Sequence, residues 1–121
     1  MQVGEKTVAN FRLETTNPGG HSSMPRPDNA IYSLAAALTN IGKYEFPVQF
    51  SDTTRSFFSR LAPTLPPKIA GAVTALLANP EDKSADAIVS LDPTLHSTLR
   101  TTCVATMLDG GHAMNALPQR A

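Results

Sequence analysis

A mixed α/β fold within one domain is what this sequence predicts. Three patterns predict it: polar–apolar alternation over residues 7–15, apolar residues at helical spacing over 29–41, and a proline-punctuated helical block over about 46–100. In the first pattern Ala9, Phe11 and Leu13 fall on one face and Asn10, Arg12 and Glu14 on the other, as in a strand buried on one side. Asn17-Pro18-Gly19-Gly20 stops that strand, because proline cannot donate to a ladder and the glycines tolerate backbone angles closed to other residues. A flexible loop then carries His21, Ser22 and Ser23. Pro25-Arg26-Pro27 keeps the chain extended, and Asp28 caps a helix that begins near Asn29. Ile31, Leu34, Ala35, Leu38 and Ile41 share its apolar face, and Gly42 with Lys43 supplies the stop.

Within the block at about 46–100, short helices are expected over 53–61, 68–78, 84–89 and 93–99, separated by Pro63, Pro66, Pro67, Pro80 and Pro93. Residues 100–108 are rich in strand formers and end in Asp109-Gly110-Gly111, so a second strand is expected there. Its edge, with Val104 and Leu108 on one face and Cys103 and Met107 on the other, is a template for pairing across a two-fold axis. The tail from His112 to Ala121 reads as short and irregular.

A length of 121 residues supports one domain and argues against a second independent one. Ten basic and ten acidic side chains, scattered along the chain, leave no surface that could neutralise a run of phosphates, which excludes nucleic acid as a partner. The longest apolar stretches are too short to span a bilayer and the N-terminus lacks a charged-then-apolar leader pattern, so a soluble chain with no membrane partner is expected. Cys103 is the single cysteine; it excludes an internal disulfide and a Cys-rich zinc site and leaves the compartment open.

No metal site built by this chain alone is expected. His21, His96 and His112 are far apart, with no His-x-x-x-His or His-x-Asp spacing and no carboxylate pair set for one ion. Ser22 and Ser23 lack the glycine flanks of a nucleophile elbow, and Cys103 in mid-strand behaves as a small apolar residue. Two glycine turns remain. His21, after Gly19-Gly20, is either a donor or acid/base that reaches another surface or a plain surface histidine. Asn115, after Gly110-Gly111-His112-Ala113-Met114, offers an amide that donates and accepts, or simply belongs to a polar tight turn.

Gly19-Gly20-His21-Ser22-Ser23-x-Pro, followed by Asn29-Ala30-Ile31 at the opening of an apolar helix, resembles the dimerisation (lid) domain of the M20 family of zinc-dependent peptidases and deacylases. Gly110-Gly111-His112-Ala113-Met114-Asn115-Ala116-Leu117-Pro118 is similar to that domain's second signature, so the resemblance covers nearly all of 1–121. It implies an α+β sandwich of ferredoxin-like order, an antiparallel sheet with helices on one face, carrying a helical insertion at about 46–100. It further implies that this chain holds only the first strand, first helix and second strand, with the third strand, second helix and fourth strand absent from it.

By the same resemblance, His21 matches the lid histidine that reaches across the dimer to stabilise the oxyanion in a partner's active site. Asn115 matches a position that contacts the substrate backbone or carboxylate, while His112 falls at a variable place and takes no role. The two zinc ions belong to a separate catalytic domain; none is bound by this chain, which alone is expected to be inactive. The implied partners are a second copy in a homodimer, the catalytic domain, and a peptide or N-acyl amino acid substrate of carboxypeptidase or amidohydrolase type. The alternative is a non-catalytic protein–protein interaction module whose glycine turns only shape an assembly surface.

Overall fold

The computed structural model describes residues 5–121. Among them the elements run β1 (Gly20–His21), α1 (Ala30–Lys43), α2 (Asp52–Leu61), α3 (Pro67–Ala78), α4 (Lys83–Val89), α5 (Pro93–Leu99) and β2 (Ala116–Leu117), with a 3-10 turn at Ala62–Thr64. Five helices and a two-stranded antiparallel sheet make this an α+β architecture. The described residues divide into two compact units, one of Glu45–Thr102 with Glu5 and Lys6, the other of Thr7–Tyr44 with Cys103–Ala121.

The first unit contains α2 to α5, and their starts are set by caps. Ser51 and Thr54 form a reciprocal capping box on α2, and Asp82 and Asp92 accept two backbone amides each at the starts of α4 and α5. Pro67 and Pro93 occupy the first helical position, where no N–H is needed. Three of these helices begin one residue before the apolar periodicity suggests: the caps Ser51 and Asp82 fix the starts of α2 and α4, and α3, which has no side-chain cap, opens on Pro67. Phe58, Val73, Leu76, Val89 and Leu99 are fully buried. Phe58 meets Phe50 and Phe57 edge-on, with ring centroids 5.9 and 5.2 Å away. Arg55 lies over the Phe50 ring and donates to the Leu77 carbonyl at 2.7 Å, tying α2 to α3.

Among the described residues Arg100 is a buried charged side chain. Arg100 donates through Nη1 to the Asp86 carboxylate at 3.2 Å and to the Phe46 carbonyl at 3.4 Å, and through Nη2 to Asp86 and to Ser90. Ser90 directs its own proton to Asp86 at 2.8 Å, so His96 Nδ1, 2.9 Å from the same hydroxyl, is the donor of that pair. His96 is thereby a member of a structural network joining α4, α5 and the chain after α5.

In the second unit α1 is capped by Asn29, whose Oδ1 accepts from the amides of Ile31 and Tyr32. The expected cap, Asp28, is otherwise engaged: its carboxylate takes the Arg26 guanidinium and the Asn17 amide. The helix also runs through Gly42 to Lys43. Ala30 and Leu34 are buried, Leu38 and Ile41 half-buried, and Ile31 and Ala35 exposed, so the apolar face is only partly covered.

The two strands expected over 7–15 and 100–108 do not form. Among the described residues 7–14 and 101–109 carry no backbone–backbone hydrogen bond, and Val8, Phe11, Val104, Met107 and Leu108 are each at least 73% exposed. Alternation prepares one face for burial, but a strand exists only where a partner supplies a ladder and a layer covers that face. Pairing occurs instead at the two glycine motifs, β1 with β2. No helix among the described residues is long and apolar enough to cross a membrane.

Two outcomes follow for stability. Phe58→Ala empties the centre of the first unit and is expected to cost about 3–5 kcal/mol, read by chemical denaturation. Partial burial pushes the Asp86 carboxyl up, but the hydrogen bonds from Arg100 and Ser90 and the nearby Arg100 and Lys83 charges outweigh it and hold the group below its ordinary value. Its contribution is therefore complete above the unfolded carboxyl's pKa and is lost as pH falls through the lower folded value. Melting from pH 6 down through about pH 3 should show that loss, with a shallower acid dependence in Asp86→Asn.

Candidate functional site

The pairing that builds the candidate site extends beyond the two short strands. Thr15 and Ala121 exchange both backbone hydrogen bonds at 2.9 and 3.1 Å, Thr16 bridges Arg120, and the Asn17 amide donates to the Gln119 carbonyl at 2.9 Å. Farther along, Gly20 pairs with Leu117 and His21 with Ala116, and the Ser22 amide donates to the Asn115 carbonyl at 3.1 Å. The register moves by one residue between these two stretches, so Pro18 and Gly19 together oppose Pro118. This is a β-bulge. Gly19 sits at φ +82°, and a Cβ there would lie 2.6 Å from Gln119 Cγ, so both the conformation and the close approach require glycine.

A clasp closes the segment that carries the bulge. Asn17 Oδ1 accepts from the Gly19 amide at 2.8 Å, while Asn17 Nδ2 donates to the Asp28 carbonyl and carboxylate at 2.9 and 2.8 Å. Arg26 grips the same carboxylate with two nitrogens, and that hydrogen bond, the largest influence, holds the Asp28 carboxyl below its ordinary range. Thr15 Oγ1 donates to the Ala30 carbonyl at 2.7 Å, fastening the ribbon to the first turn of α1. His21 is thus not on a flexible loop: its backbone is paired on one side, and the chain on either side of it is pinned.

The site ends in two facing turns. The Met24 amide donates to the His21 carbonyl at 3.0 Å, and the turn so closed brings Ser23 back onto the imidazole, with its amide 3.2 Å and its hydroxyl 2.7 Å from His21 Nδ1. On the other strand the Ala116 amide donates to the Ala113 carbonyl at 3.4 Å, and Met114 and Asn115 are exposed at the tip. His21 and Asn115, singled out separately in the sequence, therefore stand at neighbouring register positions of one ribbon end, both exposed to solvent.

The other candidates are placed elsewhere. His112 is exposed on the approach to β2, Cys103 is an exposed free thiol, and His96 belongs to the Arg100 network. Among the described residues no three or more His, Cys, Asp or Glu side chains gather closely enough to hold a metal ion. The zinc ions implied by the resemblance therefore fit no site on these residues. Sequence reasoning weighed Ser23 only as a nucleophile and missed it as a partner of His21; the signal was its i+2 spacing across a turn.

The family profile described as the peptidase dimerisation domain of the M20 group matches residues 3–121. The N-fatty-acyl-amino acid synthase/hydrolase PM20D1.1 of Danio rerio is 29% identical over 122 residues, covering 98% of this chain and 23% of the relative. Its Homo sapiens counterpart PM20D1 is 29% identical over 121 residues with the same coverage. A Dictyostelium discoideum protein named "Probable carboxypeptidase S-like 2" is 29% identical over 120 residues, covering 98% of this chain and 22% of that one. The chain spans less than a quarter of the length of these curated relatives. No solved structure matches.

Gly19→Ala tests the bulge. A left-handed residue with a Cβ costs about 1–2 kcal/mol, and Gln119 must also move. Faster amide exchange at Asn17 and Ser22 is expected, with the interior of the first unit unchanged.

Proposed function

Because this chain belongs to the M20 peptidase dimerisation-domain family, we propose that it serves as the lid of an amide-hydrolysing enzyme and lends His21 and Asn115 to an active site centred on another domain. The observation that supports this most directly is the antiparallel register of β1 with β2, which sets both residues at one end of one ribbon. As an amide is hydrolysed its carbonyl oxygen gains negative charge, and a fixed N–H aimed at that oxygen stabilises the transition state more than the ground state. His21 provides such a donor. Asn115, with both donor and acceptor atoms, suits a substrate's peptide group or carboxylate. The names of the fish and human relatives point to N-acyl amino acids as the substrate class, and that of the Dictyostelium relative to C-terminal peptide bonds.

The finer architecture proposed is the ferredoxin-like order of the domain, and the proposed assembly is a homodimer. Residues 7–15 and 100–108 would gain ladder partners in the complete domain or its dimer. Their exposed apolar side chains, Phe11 at 84% and Met107 at 92% among them, support a further covering surface. The same side chains favour the second reading, an interaction module with no part in chemistry.

In the intact enzyme, His21→Ala is expected to lower kcat about a hundredfold to a thousandfold, with metal content unchanged; near-normal turnover selects the interaction module. Asn115→Ala is expected to raise KM about three- to tenfold. Sedimentation at high concentration should show a dimer, and Met107→Glu should shift it toward monomer.

A further inference from the structure

Ser23 holds the imidazole of His21 at two points, and this contact selects which ring nitrogen carries the proton. The Ser23 backbone amide, 3.2 Å from Nδ1, can only donate, so Nδ1 must present its lone pair. The Ser23 hydroxyl, 2.7 Å from the same atom, then donates as well. A neutral imidazole that accepts at Nδ1 carries its hydrogen on Nε2, and among the described residues nothing is hydrogen-bonded to that nitrogen. The arrangement is built into the backbone. His21 is fixed by its pairing with Ala116, and the hydrogen bond from Met24 to the His21 carbonyl folds Ser23 back over the ring.

We propose that Ser23 is a positioning residue: it locks His21 as the Nε2–H tautomer and holds the ring so that this N–H faces outward as a ready donor. The proposal rests on the role of His21 given above and adds what prepares it. A donor already in the correct tautomer and rotamer needs no reorganisation when charge develops on the substrate. Ser23→Ala keeps the amide contact and loses the hydroxyl, so it weakens the lock without abolishing it.

Long-range 1H–15N correlation spectra of the chain, at a pH where the rings are neutral, assign each tautomer. His21 is expected as Nε2–H beyond the proportion shown by a free imidazole, with His96 as the opposite, Nδ1–H, reference. In the intact enzyme Ser23→Ala should lower kcat about three- to tenfold with KM unchanged, and Ser23→Thr, which retains a hydroxyl, should restore it. An ordinary tautomer mixture at His21 would sink the proposal. So would wild-type kcat in Ser23→Ala alongside an impaired His21→Ala, an outcome that leaves the role of His21 standing. Normal turnover in His21→Ala instead removes that role and the proposal with it.

Discussion

The setting of His21 depends on one constraint, the antiparallel register between residues 15–22 and 115–121. Those two segments are about a hundred residues apart in the chain, so each hydrogen bond between them, worth about 1 kcal/mol net, works against the entropy of closing a long loop. A two-stranded ribbon alone is marginal in water. Here the Thr15 hydroxyl anchors it to the Ala30 carbonyl, and Ala30, Leu34 and Leu117 supply the buried apolar surface of that unit. The Asn17–Asp28–Arg26 clasp adds directional bonds where burial is slight.

The helical parts were legible in the sequence because their determinants are local. Prolines mark the breaks, Asp82 and Asp92 sit directly before the helices they cap, and the apolar spacing of α1 survives in Leu34, Leu38 and Ile41. The strands were legible only as tendencies. Phe11 and Leu13 alternate with charged neighbours as a half-buried strand demands, yet alternation names neither the partner nor the cover. The two motifs around His21 and Asn115 were visible as separate turns; that they pair with each other, and with a bulge, is a long-range fact no local pattern encodes. Asp28 failed as a cap for a different, largely local reason: its carboxylate is claimed by Arg26 from two residues away and by the Asn17 amide.

His96 and His21 show how the same side chain is committed in opposite ways. In the first unit His96 gives its Nδ1 proton to Ser90, whose hydroxyl serves the ion pair between buried Arg100 and part-buried Asp86; the ring is one more member of that network. In the second unit His21 accepts at Nδ1 from a turn it helps to form, and its remaining nitrogen is exposed. Burial of the neighbours, more than the imidazole itself, separates a structural histidine from one available to another molecule.

The extra residue at Pro18–Gly19 also decides on which side the ribbon shows its side chains. Successive residues of a strand point in opposite directions, so an inserted residue that is not absorbed by a bulge inverts the parity of all that follows. Were the ladder of residues 15–17 to run on without the bulge, His21 would oppose Asn115 instead of Ala116 and the imidazole would emerge from the reverse surface. Geometric presentation, rather than the presence of the histidine, is what the glycine at this point conserves.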